Sequence, residues 1–357
     1  MDALSQVESS ALIPYPVVAR ALAVVPVTRD LATVATAARQ RIAELVEGSI
    51  SVNSRRAYEG DWRAFESWCQ SLGVSALPAS VDTVLAYASE LPTAAHSERH
   101  GRWAGPTDKM GYSAATIQRR MSTIGARHKA GGFDNPCAHP HVVTLLKGIR
   151  REIGTAPLKR KAALTTDHLR RLRRIEDSSV RQIRDTALLL VGFAGGFRRS
   201  ELCALNLEDL EWSDRTLTVL LKRSKTDQTG AGRRVVLHAG SGLCPIAALR
   251  RWIEASGISS GPLFRAVRKG GKVGTTRLST EAVSQVVKGY AAVCGLDAAR
   301  YGGHSLRVGH ICTAILAGES DRNIMRVTGH KSPSMISRYW REDLESMQHN
   351  SSASLGL

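Results

Sequence analysis

One alternating stretch stands inside a chain otherwise punctuated for helices. Residues Arg215 to Lys222 and Arg233 to His238 alternate apolar with polar, the two-residue period of a half-buried strand. Between them Thr226-Asp-Gln-Thr-Gly-Ala-Gly232 supplies turn residues, so the pair reads as a β-hairpin. Around it, apolar residues recur at helical spacing, hydroxyl residues stand where helices begin, and glycines stand where they end. The expected class is mainly α with a small β-sheet, and 357 residues are enough for two domains with two cores.

Taken in order, residues 1–45 are interrupted by Pro14, Pro16 and Pro26 and read as a partly disordered arm, helical at most from Leu31 to Leu45. Asp2 replaces the positive charge that a secretory signal would carry there. Residues 46–154 read as a domain of four helices. Ser54 caps the first, with Tyr58, Trp62, Phe65 and Trp68 as its apolar stripe. Ser80 caps the second, which reaches about Leu91, and a polar loop follows at 96–110. The third starts after Ser113 and turns Ile117, Met121 and Ile124 inward, leaving Gln118, Arg119 and Ser122 outward. The fourth spans Val142 to Ile153. Gly154, Pro157 and the cations Lys159, Arg160 and Lys161 mark a linker at 155–164.

Residues 165–345 read as a second domain, and 346–357 as a tail. Thr165-Thr166-Asp167 opens a helix with Arg170, Arg171, Arg173 and Arg174, and Thr186 to Phe193 is a buried helix ending at Gly195-Gly196. Arg198 and Glu201, three apart, then share a face on which a carboxylate can orient a guanidinium. Lys225 sits at the mouth of the hairpin turn. Beyond it come a helix from Ile246 to Glu254, an extended piece at Gly261 to Phe264 and a basic turn at Lys269 to Lys272. Ser279-Thr280-Glu281 opens a helix reaching Gly295, and another carries His304 and Arg307 to about Gly318. A further helix, capped by Ser320 or Asp321, is closed by Gly329, His330 lies in the turn, and Ser332-Pro333 starts a last helix with Tyr339 about two turns in.

Charge narrows the function. Lys plus Arg number 49 against 32 Asp plus Glu, a formal +17 that folding does not require and a polyanion does. An anionic membrane is the other candidate, but it would call for an amphipathic basic helix or a lipidation signal, and neither is seen. No stretch approaches the roughly 18 apolar residues of a membrane span. Six scattered cysteines without a Cys-x-x-Cys pair suit reduced thiols. Cys137-Ala-His139-Pro-His141 has no fourth partner at metal-ligand spacing and reads as a proline-bounded loop, so no metal is expected.

Five short stretches remain: Gly196-Phe-Arg-Arg-Ser-Glu-Leu202, Ser224-Lys-Thr-Asp-Gln228, Gly303-His-Ser-Leu-Arg307, Gly329-His330, and Tyr339 nine residues later. Their order and spacing resemble the tyrosine recombinases, the phage-integrase family, and around 302–345 its Cre-like members. The resemblance implies a two-domain DNA clamp: an α-helical, SAM-like core-binding domain and a mixed α/β catalytic domain. It implies site-specific recombination through a 3′-phosphotyrosyl intermediate and a Holliday junction, with neither metal nor other cofactor.

By the same resemblance Tyr339 attacks, Arg198 and Arg307 hold the non-bridging phosphate oxygens, and Lys225 protonates the leaving 5′ oxygen. His304 acts as base or donor, His330 hydrogen-bonds the phosphate, and Glu201 buttresses Arg198. The expected partner is double-stranded DNA with paired inverted half-sites. The protein would be a homotetramer on DNA and a monomer or dimer when free, in the bacterial cytoplasm at the nucleoid. Arg119 and Arg120 are expected base readers. So is the helix start at Thr280-Glu281, where Cre-like members carry an arginine and a carboxylate would suit a cytosine amine instead. Lys159, Arg160 and Lys161 are expected to cross the phosphate backbone. A type IB topoisomerase or telomere resolvase, and a DNA-binding protein that has lost catalysis, are the rival readings.

Overall fold

A computed structural model describes residues 38–42, 44, 45, 48, 50–93, 111–155, 161–171, 179–222 and 232–339. The chain divides into two compact units between Leu158 and Lys159.

The first unit is built of α1 (Val52–Ser71), α2 (Val81–Glu90), α3 (Ala114–Ala130) and α4 (Pro140–Ile153). Ser80 and Ser113 cap α2 and α3 as the sequence predicts, each side chain accepting an amide of the first turn. The cap of α1 is Ser51 rather than Ser54: the Ser51 hydroxyl takes the Ser54 amide at 3.2 Å, which starts the helix earlier. Phe65, Trp68 and Tyr87 form an aromatic centre, with Tyr87 5.0 and 5.2 Å from the other two rings. Ile117, Met121 and Ile124 of α3 and Val142, Leu146 and Ile149 of α4 complete the core. Tyr58, at 39% exposure, falls off the stripe. His139, one of the candidate metal ligands, instead caps α4 by accepting the His141 amide at 3.3 Å. Among the described residues no cluster of His, Cys, Asp and Glu is arranged to hold a metal ion.

The second unit starts with α5 (Thr166–Arg170), α6 (Val180–Ala194) and α7 (Arg199–Ala204). Helix α6 begins earlier than its apolar run at Thr186, because the Ser179 hydroxyl accepts the Gln182 amide and caps it. The hairpin is present as β2 (Thr216–Leu221) and β3 (Arg233–His238), paired antiparallel. A third strand that the sequence did not signal, β1 (Leu210–Trp212), pairs with β2. Helix α8 (Pro245–Ser256) packs on α6, burying Leu249 and Trp252. The basic turn at Lys269 to Lys272 joins a second antiparallel pair, β4 (Arg265–Val267) and β5 (Val273–Arg277). Then come α9 (Thr280–Val293), α10 (His304–Leu316), α11 (Asp321–Thr328) and α12 (Pro333–Ser337).

Two features fix the start of α10. The segment 161–164 runs alongside it, with the Ala162 amide on Arg300 O at 2.8 Å and the Leu164 amide on Ser305 O at 3.1 Å. Gly309 allows this, because a Cβ there would overlap the Leu164 carbonyl. Tyr339 does not lie on α12. That helix stops at Ser337, and the Tyr339 amide closes a tight turn onto Ile336 O at 2.8 Å. No helix of the described residues is long and apolar enough to cross a membrane.

Candidate active site

The end of α6 makes the first half of the site. Gly196, at φ +54, turns the chain so that Phe197 is buried and Arg198 becomes the cap of α7. Glu201, 3% exposed, accepts the Arg198 backbone amide at 2.9 Å through Oε2 and Arg198 Nη1 at 2.6 Å through Oε1. One buried carboxylate therefore fixes both the main chain and the guanidinium of Arg198. The neighbouring Arg199 turns elsewhere, donating to Ser284 Oγ of α9 at 3.1 Å.

The second half comes from α10 and the turn after α11. Arg307 is 1% exposed; its Nη1 donates to Gly196 O at 2.7 Å and its Nη2 to His330, 3.2 Å from Nε2. Burial, and then the nearby Arg198 charge, lower its pKa to about 10, so it stays a cation at neutral pH. Among the described residues no carboxylate lies within ion-pair distance of it. His330 is 7% exposed, and its Nδ1 lies 2.8 Å from Thr328 Oγ1. That hydroxyl gives its own proton to Ile324 O at 2.6 Å, so it accepts from Nδ1–H and leaves Nε2 as the acceptor for Arg307. Burial, followed by Arg307 and Arg198, pushes the His330 pKa down to about 3 and keeps the ring neutral.

Tyr339 sits beside both histidines, its ring 5.6 Å from His330 and 6.4 Å from His304. It packs on the small cluster of Ile311, Ile324 and Ile336, and its carbonyl accepts from Cys312 Sγ at 3.5 Å. His304 itself is the exposed first residue of α10. One further cation, which the sequence reading missed, joins the group. Arg233 opens β3, donates through Nη1 to Val327 O, and holds Nη2 3.8 Å from Glu201 Oε2. It looks like any strand-edge arginine in the sequence; only its proximity in space to Glu201 sets it apart.

Arg198, Arg233, Arg307, His304, His330 and Tyr339 are thus gathered from five separate elements, with the buried Glu201 carboxylate facing Arg198 and Arg233. A cluster of cations with a phenol beside it can hold a tetrahedral anion and present an oxygen nucleophile to it.

The remaining expected residues fare differently. Arg120 is a correction: it is 7% exposed, donates to Tyr87 Oη at 2.6 Å and lies 3.9 Å over the Tyr112 ring, so it belongs to the core and does not reach a base edge. Its place three residues after Ile117 on the same helix face was the signal. Arg119 is partly exposed and forks onto Asp61 at 2.8 and 3.0 Å. Thr280 and Glu281 are exposed at the start of α9, where Glu281 accepts from Gln285 at 2.8 Å. Lys161 donates to Ala299 O at 2.8 Å within the second unit. Lys225, Lys159 and Arg160 lie outside the described residues, as do Arg173, Arg174 and the tail.

The Phage integrase family profile matches residues 162–345. An "Integrase/recombinase xerD homolog" of Selenomonas ruminantium is 34% identical over 300 residues, covering 82% of this chain and 83% of its own. The "Recombinase cre" of Escherichia phage P1 is 27% identical over 249 residues, covering 65% of this chain and 71% of its own. Among solved structures, the Tn1549 transposon integrase in complex with transposon right end DNA superimposes with a TM-score of 0.57 at 16% identity, over 89% of this chain and 99% of that one. A lambda integrase dimer bound to a COC′ core site gives 0.51 at 17% identity, over 83% and 91%.

Proposed function

The chain belongs to the phage integrase family and is a tyrosine recombinase, and on that premise we propose that Tyr339 cuts and rejoins duplex DNA through a 3′-phosphotyrosyl intermediate. The observation that carries the reading is the placement of the Tyr339 ring against His304 and His330, with His330 bonded to a buried Arg307 that has no carboxylate partner among the described residues. A fixed cation left without its counter-ion is costly in a core and useful where a phosphate is to arrive.

The chemistry is a transesterification. The Tyr339 oxygen forms a bond to phosphorus, the bond from phosphorus to the 5′ oxygen breaks, and that oxygen leaves as a hydroxyl after taking a proton. Lys225 is the proposed donor of this proton. His304, exposed beside the phenol, takes the phenolic proton. Arg198 and Arg307 hold the non-bridging oxygens, and Glu201 keeps Arg198 in place. His330, neutral with Nδ1–H on Thr328 and Nε2 accepting from Arg307, orients Arg307, and it donates to the phosphate only once Nε2 has taken up a proton, which the arriving anion favours. One phosphodiester is exchanged for another, so the bond energy is retained and no ATP is consumed. Reversal by a 5′ hydroxyl from a second duplex completes strand exchange.

The solved relatives bound to transposon-end and core-site DNA support duplex DNA as the partner. Paired inverted half-sites, a homotetramer at synapsis and a Holliday junction complete the proposal. A nicked duplex carrying the site tests it, because cleavage releases a short end and traps the enzyme. The proposal expects a covalent adduct on the 3′ side with a free 5′ hydroxyl, formed in EDTA without nucleotide. A 5′-linked adduct, or hydrolysis with no adduct, would refute it.

A further inference from the structure

The proposed chemistry leaves Arg233 without a part, yet its guanidinium joins three elements. Its own residue opens β3. Nη1 donates to Val327 O, in the last turn of α11, whose terminal carbonyls lack helical partners. The next turn wraps it: Gly329, at φ +70, would place a Cβ 3.1 Å from Arg233 Cζ and Nε, so a side chain there would be strained and would crowd the guanidinium just before His330. Nη2 is buried and makes no hydrogen bond among the described residues; its nearest carboxylate oxygen is Glu201 Oε2 at 3.8 Å.

A buried guanidinium nitrogen with an unused donor carries a desolvation cost, which another state of the site that used it would recover. Glu201 supplies that state. It accepts Arg198 twice in the free protein, and a phosphate that drew Arg198 Nη1 onto its own oxygens would leave Oε1 short of a partner. Arg233, facing the same carboxylate from β3, stands ready to neutralise it.

We propose that Arg233 is a positioning residue that shares Glu201 with Arg198 and ties the Val327–His330 turn to that carboxylate, so that Arg198 and His330 meet the phosphate as one unit. The inference rests on the phosphate-site reading above. Arg233 acts through Glu201 and the turn, without itself touching the reacting atoms. Lysine cannot replace it, because one ammonium cannot serve both the Val327 carbonyl and Glu201 while keeping the planar fork.

The experiment measures single-turnover adduct formation on the nicked duplex, DNA affinity at fixed salt, and melting temperature. Arg233→Lys, Arg233→Gln, Glu201→Gln and the Arg233→Gln/Glu201→Gln double variant are compared. Arg233→Lys is expected to cleave about tenfold or more slowly with affinity held within about twofold. Arg233→Gln is expected to lose about tenfold or more in the native background and less than about twofold once Glu201 is glutamine. Wild-type cleavage by Arg233→Lys, losses that multiply in the double variant, or an affinity loss equal to the rate loss would each overturn the inference. If Arg233→Gln fails to fold, Arg233→Lys alone and combined with Glu201→Gln gives the same comparison. Tyr339→Phe is run alongside. An adduct from that variant overturns the site reading itself, whereas an inert Tyr339→Phe with a fully active Arg233→Lys overturns only the role of Arg233.

Discussion

Arginine does two jobs in this chain, and burial with partners separates them. Arg307 is enclosed with a backbone carbonyl and a neutral imidazole, which leaves its charge for an incoming anion. Arg120 is enclosed with a phenol, an aromatic face and Asp61 at 3.6 Å, which consume its charge in the core of the first unit. Arg120→Met should therefore lower stability by about 1–3 kcal/mol in chemical denaturation and leave DNA sequence preference unchanged. A changed base preference would return it to the reading surface. The histidines give a pH signature. Burial, offset in part by a hydrogen bond with the Phe193 backbone, lowers the His310 pKa to about 4, and His330 titrates near 3. Below the ordinary value of roughly 6.5 the unfolded chain binds protons that the folded chain refuses. Stability is therefore whole above about pH 6.5 and falls as pH drops towards 4, by up to about 1.4 kcal/mol per pH unit for each histidine. Melting followed from pH 7 to 4.5 should show that slope, and His310→Asn should flatten it; an unchanged slope would contradict the half-buried, neutral ring.

At the level of elements, helices were the legible part of the sequence because caps and periodicity act locally. Ser80, Ser113, Ser279, Ser320 and Gly329 mark ends that the structure keeps. The three-residue strands β1 and β4 are too short to show a period, and they exist only because neighbours supply their hydrogen bonds. Arg198, Glu201, Arg307 and Tyr339 could be picked out by their order along the chain. Arg233 could not, since its meaning depends on Val327 and Glu201 arriving beside it from distant positions. The end of α12 was misplaced because the turn at Tyr339 follows from packing on Ile311 and Ile324 and not from a helix-breaking residue. The contact of α10 with segment 161–164 is testable. Gly309→Ala forces a methyl into the Leu164 carbonyl and should cost about 3 kcal/mol, the upper range for overpacking. Because His304 and Arg307 begin the same helix, DNA cleavage should fall with it. Native stability in that variant would mean the approach is looser than described.

The whole molecule couples a strongly basic chain to a site in which, among the described residues, three arginines stand against one buried carboxylate. Affinity for DNA should fall linearly on a log–log plot against salt, with a slope of about −0.9 for each phosphate neutralised. A flat plot would mean that charge is not what holds the duplex. Charge alone, however, would describe any DNA-binding protein, and the claim at the centre of this account is narrower: a particular phenol becomes bonded to the DNA. The most direct measurement is protease digestion of the trapped complex with mass spectrometry of the DNA-linked peptide, run on the native chain and on Tyr339→Phe. The account predicts a nucleotide attached at Tyr339 in the first and DNA binding without any adduct in the second. An adduct on another residue, or one that survives in Tyr339→Phe, would contradict it.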